Sequence, residues 1–141
     1  MIAYIFTGEE LHFLCGVLGV RGLPSGEFSG GEISDTQCSR IAEGLSVKGF
    51  VSMNGKKAVI NSGIAFLVQC LGRAEKFYRN VSGDFFAGYV CNGICLLLTR
   101  DRDSGNYFIC PFESEEELIA RLHEENISQW DEICGRENIY G

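Results

Sequence analysis

Three segments in the N-terminal half carry apolar residues at the i, i+3, i+4, i+7 spacing of a buried helix face. The first two follow TGEE at 7–10 and SDTQ at 34–37. These are capping-box sequences, because their first and fourth side chains can each bond the other residue's backbone amide. The third follows Ser62, a residue type that also caps helices. The pattern predicts helices over about 8–18, from 35 to Gly49 and from 62 to Gly72.

Short apolar segments with turn signals between them predict two groups of strands. Residues 50–53 and 56–60 flank Asn54-Gly55, a strong two-residue hairpin signal, since both positions of a type I′ turn need positive φ. After residue 74 the helical spacing of apolar residues gives way to short apolar segments, and Asn92-Gly93 provides a second hairpin turn. Consecutive strands joined by such short turns indicate an antiparallel sheet. The predicted strands of this second group are 74–81, 85–91, 94–100 and 106–112.

The C-terminal segment has the pattern of two helices. The sequence SEEE at 114–117 is a third capping box, with acids in the first turn, where the helix dipole favours negative charge. A second short helix is predicted over 128–134, with Trp130 and Ile133 facing inward. The tail, 136–141, is expected to fray.

Together these elements predict an α+β fold in a single domain over residues 1–141. Residues 1–72 are expected to form a winged-helix-like layer of helices with a hairpin. Residues 73–141 are expected to form an antiparallel sheet of about four strands backed by C-terminal helices. The change of layer falls near residue 72. The expected core includes Leu11, Leu14, Leu18, Ile41, Leu45, Phe50, Leu67, Leu71, Leu96, Leu98, Leu118 and Leu122.

Composition and charge narrow the classes of partner. Of 141 residues, 45% are hydrophobic and 22% are charged, which is an ordinary globular composition. The 19 acids and 12 bases give a net charge of −7, so nucleic acid is an unlikely partner, because Lys and Arg supply most of that affinity. No apolar run approaches the roughly 18 residues of a membrane helix, and the first residues lack a signal-peptide pattern. A cytoplasmic location with no membrane partner is expected.

Residue patterns that would indicate catalysis or metal binding are few. None of the seven cysteines has C-x-x-C spacing, and cysteines in apolar helices and strands are expected to be buried, reduced thiols. No serine has a G-x-S-x-G context, and no glycine-rich segment follows a strand and opens a helix, as a phosphate-binding loop requires. We therefore expect no enzyme activity, no cofactor and no metal. A Cys–His dyad that includes His12 or His123 is the arrangement that would instead indicate an enzyme.

The order helix, helix, strand, Asn-Gly turn, strand is that of a winged helix-turn-helix, which indicates an alternative function. Residues 40–51 would be a recognition helix leading into the wing. The candidate DNA-contacting residues are Arg40, Lys48, Lys56 and Lys57. Asp35 and Glu43 on the same helix would be repelled by phosphate. Winged helices also bind proteins, and this sequence favours protein binding.

Aromatic residues are dense in the predicted sheet and indicate where a protein partner would bind. Adjacent residues on a strand point to opposite faces, so one ring of each neighbouring pair can enter the core. The other ring must be covered by a different element on the opposite face of the sheet. That cover would be the C-terminal helix, a second subunit or a client, and rings left exposed would form an interaction patch. The candidate partner-binding residues are Phe77, Tyr78, Phe85, Phe86, Tyr89, Tyr107 and Phe108.

The N-terminal stretch resembles a known family. The sequence FTGEEL at 6–11, followed by Leu18-Gly19 and Leu23-Pro24, is similar to the opening of the EspG-like secretion chaperones of type VII (ESX) secretion systems. Residues 35–72 are similar to the continuation in Gram-positive accessory proteins of the same systems, so the resemblance covers about residues 6–72. EspG-like chaperones are longer, with a pseudo-two-fold arrangement of sheet and helices, and this chain has room for one such half.

The resemblance implies a cytosolic, non-enzymatic adaptor that keeps a secretion substrate soluble, and this is the function we expect. Its partner would be a protein client, the secretion substrate, or a second copy of the chain. The alternatives are a winged-helix DNA-binding transcription regulator and a structural or interaction protein of another kind.

Overall fold

The computed structural model of the chain describes residues 3–20, 33–55, 57–80, 86–124 and 130–134. Within these ranges the chain forms helices and an antiparallel sheet, which confirms the predicted α+β class. The helices are α1 (Gly8–Val17), α2 (Asp35–Val47), α3 (Ser62–Gly72) and α4 (Glu115–Glu124). The strands are β1 (Tyr4–Phe6), β2 (Val51–Asn54), β3 (Lys57–Ile60), β4 (Lys76–Asn80), β5 (Phe86–Cys91), β6 (Ile94–Arg100), β7 (Tyr107–Phe112) and β8 (Trp130–Cys134).

The first two helices begin at the predicted capping boxes. In α1, the amide of Glu10 donates to Thr7 Oγ1 at 3.1 Å, and the amide of Thr7 donates to Glu10 Oε1 at 2.8 Å. Ser34 and Gln37 make the same reciprocal contacts at the start of α2. The cap of α3 is one residue earlier than predicted, because the Asn61 side chain accepts from the amide of Gly63 at 2.8 Å and so satisfies an amide of the helix's first turn.

The described strands form a six-stranded antiparallel sheet in the order β1-β7-β6-β5-β4-β8, and a separate β2–β3 hairpin. The four central strands are the predicted ones. The short strand β1 was not predicted, and it pairs with β7 at one edge. The predicted helix over 128–134 was wrong. Residues 130–134 pair along their whole length with β4 instead, and a short apolar pattern cannot distinguish a strand from a helix. Residues 128–129 and the tail 136–141 lie outside the described residues.

Both predicted hairpins are present, and one turn is displaced. Asn92 and Gly93 have φ of 49° and 82° between the paired residues Cys91 and Ile94, as a type I′ turn requires. In the other hairpin Asn54 itself pairs with Lys57. The turn is therefore one residue later than predicted, with Gly55 at φ 66°.

The two faces of the sheet are covered by different helices. On one face, α1, α2 and α3 enclose a core that includes Phe6, Leu45 and Leu98. On the other face, Leu118 and Leu122 of α4 pack on alternate residues of the same strands. Of the twelve core residues predicted from the sequence, nine are buried, and the other three, Leu18, Phe50 and Leu67, are partly buried against the first core.

Helix α4 lies close to the sheet because of a glycine. A Cβ atom placed on Gly88 of β5 would be 3.2 Å from Leu118 Cδ2, which is closer than ordinary van der Waals contact. Leu118 therefore rests directly on the strand backbone. None of the helices in the described ranges combines the length and hydrophobicity needed to cross a membrane.

Replacing Leu45 by Ala tests the core of α2. Leu45 is fully buried, so we expect Leu45→Ala to lower the free energy of unfolding by about 2–5 kcal/mol. Val47 on the same helix is 90% exposed, so Val47→Ala should change it by less than about 0.5 kcal/mol. Urea denaturation measures both. Equal effects would contradict this assignment of the buried face.

Candidate partner-binding site

Four of the predicted partner-binding aromatics are buried within the protein. Phe77, Tyr89 and Tyr107 belong to the core under α1–α3, where the rings of Phe77 and Tyr89 have centroids 5.2 Å apart. Tyr78, adjacent to Phe77, points to the opposite face and packs beneath α4. The C-terminal helix therefore supplies the second cover, and these four rings form no exposed surface.

The other three predicted aromatics do not complete a patch. Phe108 is half-buried and lies opposite Ile5 of the edge strand. Phe86 belongs to β5, but its side chain is outside the described part, and Phe85 is outside it altogether. The density of rings in the sequence thus reflects a sheet that is buried on both faces.

The predicted DNA-contacting cations are not gathered on one open surface. Arg40 pairs with Glu9 at 2.8 Å, and both side chains are exposed. Lys48 pairs with Glu10. Lys57 is exposed on β3, and no acid of the described residues lies within salt-bridge distance of it. Lys56 lies outside the described residues. Two of the four cations are therefore engaged with acids of α1.

The pair between Lys48 and Glu10 joins three elements. Glu10 is 5% exposed, and its Oε1 accepts from the amide of Thr7 and from Lys48 Nζ. Lys48, which caps the C-terminus of α2, also donates to the carbonyl oxygen of Ile5 at 3.2 Å. One ammonium group thus holds α1, the end of α2 and strand β1 in a fixed arrangement.

An open cleft of about 450 Å³ lies beside this contact. Its aromatic wall contains Tyr4 and Phe50, whose ring centroids are 6.2 Å apart. Phe66 of α3 also lines the cleft and is 53% exposed, although most of its helix faces the core. The remaining lining residues are Lys48, Gly49, Asn61, Gly63, Ile64 and Leu67.

The sequence contained a signal for this cleft that our reasoning missed. Helix α3, with the sequence SGIAFLVQCLG, contains no charged residue. A helix that is apolar all round is normally buried all round, but α3 leaves the ring of Phe66 half in solvent. The absence of charge on that face would have marked it as a contact surface.

Burial makes four of the cysteine thiols poor nucleophiles. It raises the pKa of Cys15 to about 12 and, together with the neighbouring Cys91 thiol, raises the pKa of Cys70 to about 11. It also raises the pKa values of Cys95 and Cys110. At neutral pH these groups stay protonated, whereas the thiolate is the reactive form. In the described ranges no three His, Cys, Asp or Glu residues come together as a metal site would require.

The comparisons with known proteins add no relationship. No protein-family model matches the sequence, and a search of curated proteins finds no match.

Replacing Lys48 by Gln tests the contact that holds the cleft. The variant leaves the Glu10 carboxylate buried without its cation, so we expect Lys48→Gln to lower the free energy of unfolding by about 1–3 kcal/mol. Arg40→Gln is the matched control. It breaks the exposed pair with Glu9 and should cost less than about 1 kcal/mol. Urea denaturation of both variants decides, and a smaller loss for Lys48→Gln than for Arg40→Gln would show that the buried pair has no structural role.

Proposed function

We propose that this protein is a non-enzymatic adaptor that binds a protein client at the cleft lined by Tyr4, Phe50 and Phe66. The observation that carries the proposal is the exposed ring of Phe66 beside an open cavity with an aromatic wall. Covering the exposed part of such a ring is favourable at about 25 cal/mol per Å². Aromatic side chains next to a pocket are the residues that most often dominate binding energy at protein interfaces.

The cleft is supported by packed elements, which favours binding. The ring of Phe50 packs against that of Phe6 in a tilted arrangement with centroids 5.0 Å apart, and the amide of Asn61 donates to the carbonyl oxygen of Phe50 at 2.9 Å. Lys48, which also lines the cleft, is held by its contacts with Glu10 and Ile5. A client would thus meet a surface that is already formed, so little conformational entropy is lost in shaping it.

The client we propose is a type VII secretion substrate, held in the cytosol before export. Support comes from the resemblance of residues 6–72 to EspG-like chaperones and to Gram-positive accessory proteins of the same systems. The cleft is lined by residues 4 to 67, so the segment that carries the resemblance also builds most of the proposed binding site.

A DNA-binding role has less support. Lys48 and Arg40 are paired with carboxylates, and a phosphate would have to displace those partners. The net charge of −7 also opposes approach to DNA. The winged-helix interpretation of residues 1–72 stays a prediction.

Replacing Phe66 by Ser tests the proposed function. We expect Phe66→Ser to reduce client capture about tenfold or more, since removing a central aromatic residue typically costs that much. Capture from a lysate of the source cell, measured by quantitative mass spectrometry of the captured proteins, compares the variant with the unaltered protein.

Val17→Ser is the matched control for that experiment. Val17 is exposed on α1 and does not line the cleft, so removing apolar surface there should leave capture unchanged. Circular dichroism confirms that both variants fold. Equal capture by Phe66→Ser and the unaltered protein would rule out this site.

A further inference from the structure

The β2–β3 hairpin extends beyond the core that supports its base. Val51 is buried and its partner Ile60 is half-buried. The three outer pairs, from Ser52↔Val59 to Asn54↔Lys57, consist of exposed residues on both faces. Two of these exposed residues are large and apolar. Met53 is 42% exposed and Val59 is 55% exposed.

The outer part of this hairpin consists of two strands, and neither of its outer edges pairs with another described strand. Two-stranded hairpins are marginally stable in water, and a third strand or a packed helix normally supports them. Strand β3 pairs with β2 on one side, and none of the described strands pairs with its other side. Its outer edge therefore presents backbone donors and acceptors that can pair with an added strand.

The charge of the hairpin determines which kind of client strand would pair with the outer edge of β3. Residues 48–61 contain three lysines and no acid, in a protein whose net charge is −7. Lys48 is held by Glu10, whereas Lys57 is exposed and pairs with no acid of the described residues, so its charge can act on a partner. A cationic, apolar edge attracts an acidic segment and repels a basic one.

We propose that an extended client segment with an acid and an apolar residue two positions apart adds to the outer edge of β3 as a third strand. Side chains alternate along a strand, so Lys57 and Val59 share one face. The segment would place an acid beside Lys57 and, two positions away, an apolar residue beside Val59. The base of the hairpin, Gly49, Phe50 and Asn61, lines the cleft. One segment could therefore bind the edge and continue to the cleft.

This inference rests on the proposed function for the existence of a protein client, but it uses different residues. The proposed function depends on Phe66 and the cleft. Strand addition depends on Lys57, Val59 and the backbone of β3. The two can therefore fail separately.

Selection from a random twelve-residue peptide display library tests the proposal. The full-length protein should enrich peptides that carry an acid two positions from an apolar residue. The tightest peptide, labelled with fluorescein, should lose about tenfold in affinity against Lys57→Glu. A peptide with Lys in place of its acids should regain that loss against the same variant. Arg73→Glu, which changes an exposed base at the end of α3, is the matched control and should leave affinity unchanged.

Peptides N-methylated at alternate amides test the backbone pairing. In an added strand every second amide points to β3, so one set of methylated positions should abolish binding and the other should preserve it. Enriched peptides without acids, equal binding by Lys57→Glu, or equal effects of both methylation sets would each overturn the proposal. So would self-association or binding to random duplex DNA that depends on Lys57. If selected peptides need Phe66 but not Lys57, the proposed function stands and strand addition falls.

Discussion

The arrangement of the helices follows from a sheet that is apolar on both faces. Along β6, Leu96 and Leu98 point to one core, and Cys95 and Leu97 point to the other. Neither face can be left in water without exposing a large apolar area. Helices α1–α3 cover the first face and α4 covers the second. The position of Phe66 follows from the same constraint. Helix α3 must turn Ile64 and its neighbours toward the sheet, so the ring of Phe66, on the other side of the helix, is left partly in solvent.

Local chemistry made part of this fold predictable. The capping boxes of α1 and α2 and the Asn92-Gly93 turn act within four residues, and these three appear where the sequence placed them. The edge strands did not follow from local pattern. Strand β1 is too short to show a period, and β8 was predicted as a helix because its apolar spacing fits either structure. Only pairing with β4, distant in sequence, decides between them.

The candidate site was less predictable than the fold. The sequence indicated an aromatic surface on the sheet, but α4 and the N-terminal helices bury the rings of Phe77, Tyr78, Tyr89 and Tyr107. The cleft brings together residue 4, residues 48–50 and residues 61–67, and no sequence pattern links positions so far apart. The lysines were recognised as charges, but the buried partner of Lys48 became visible only when α1 was placed beside α2.

The edge strands β1 and β3 differ in how open they are to pairing with another chain, and this affects how copies of the protein behave at high concentration. Lys48 binds the carbonyl oxygen of Ile5, so β1 is partly closed to pairing with another chain. The described residues make no comparable contact at the edge of β3, but each copy carries the exposed Lys57 there. Two hairpins that approached edge to edge would bring like charges together. The ammonium group of Lys57 would therefore hinder fibre-like stacking of identical chains while leaving the edge open to a strand of opposite charge.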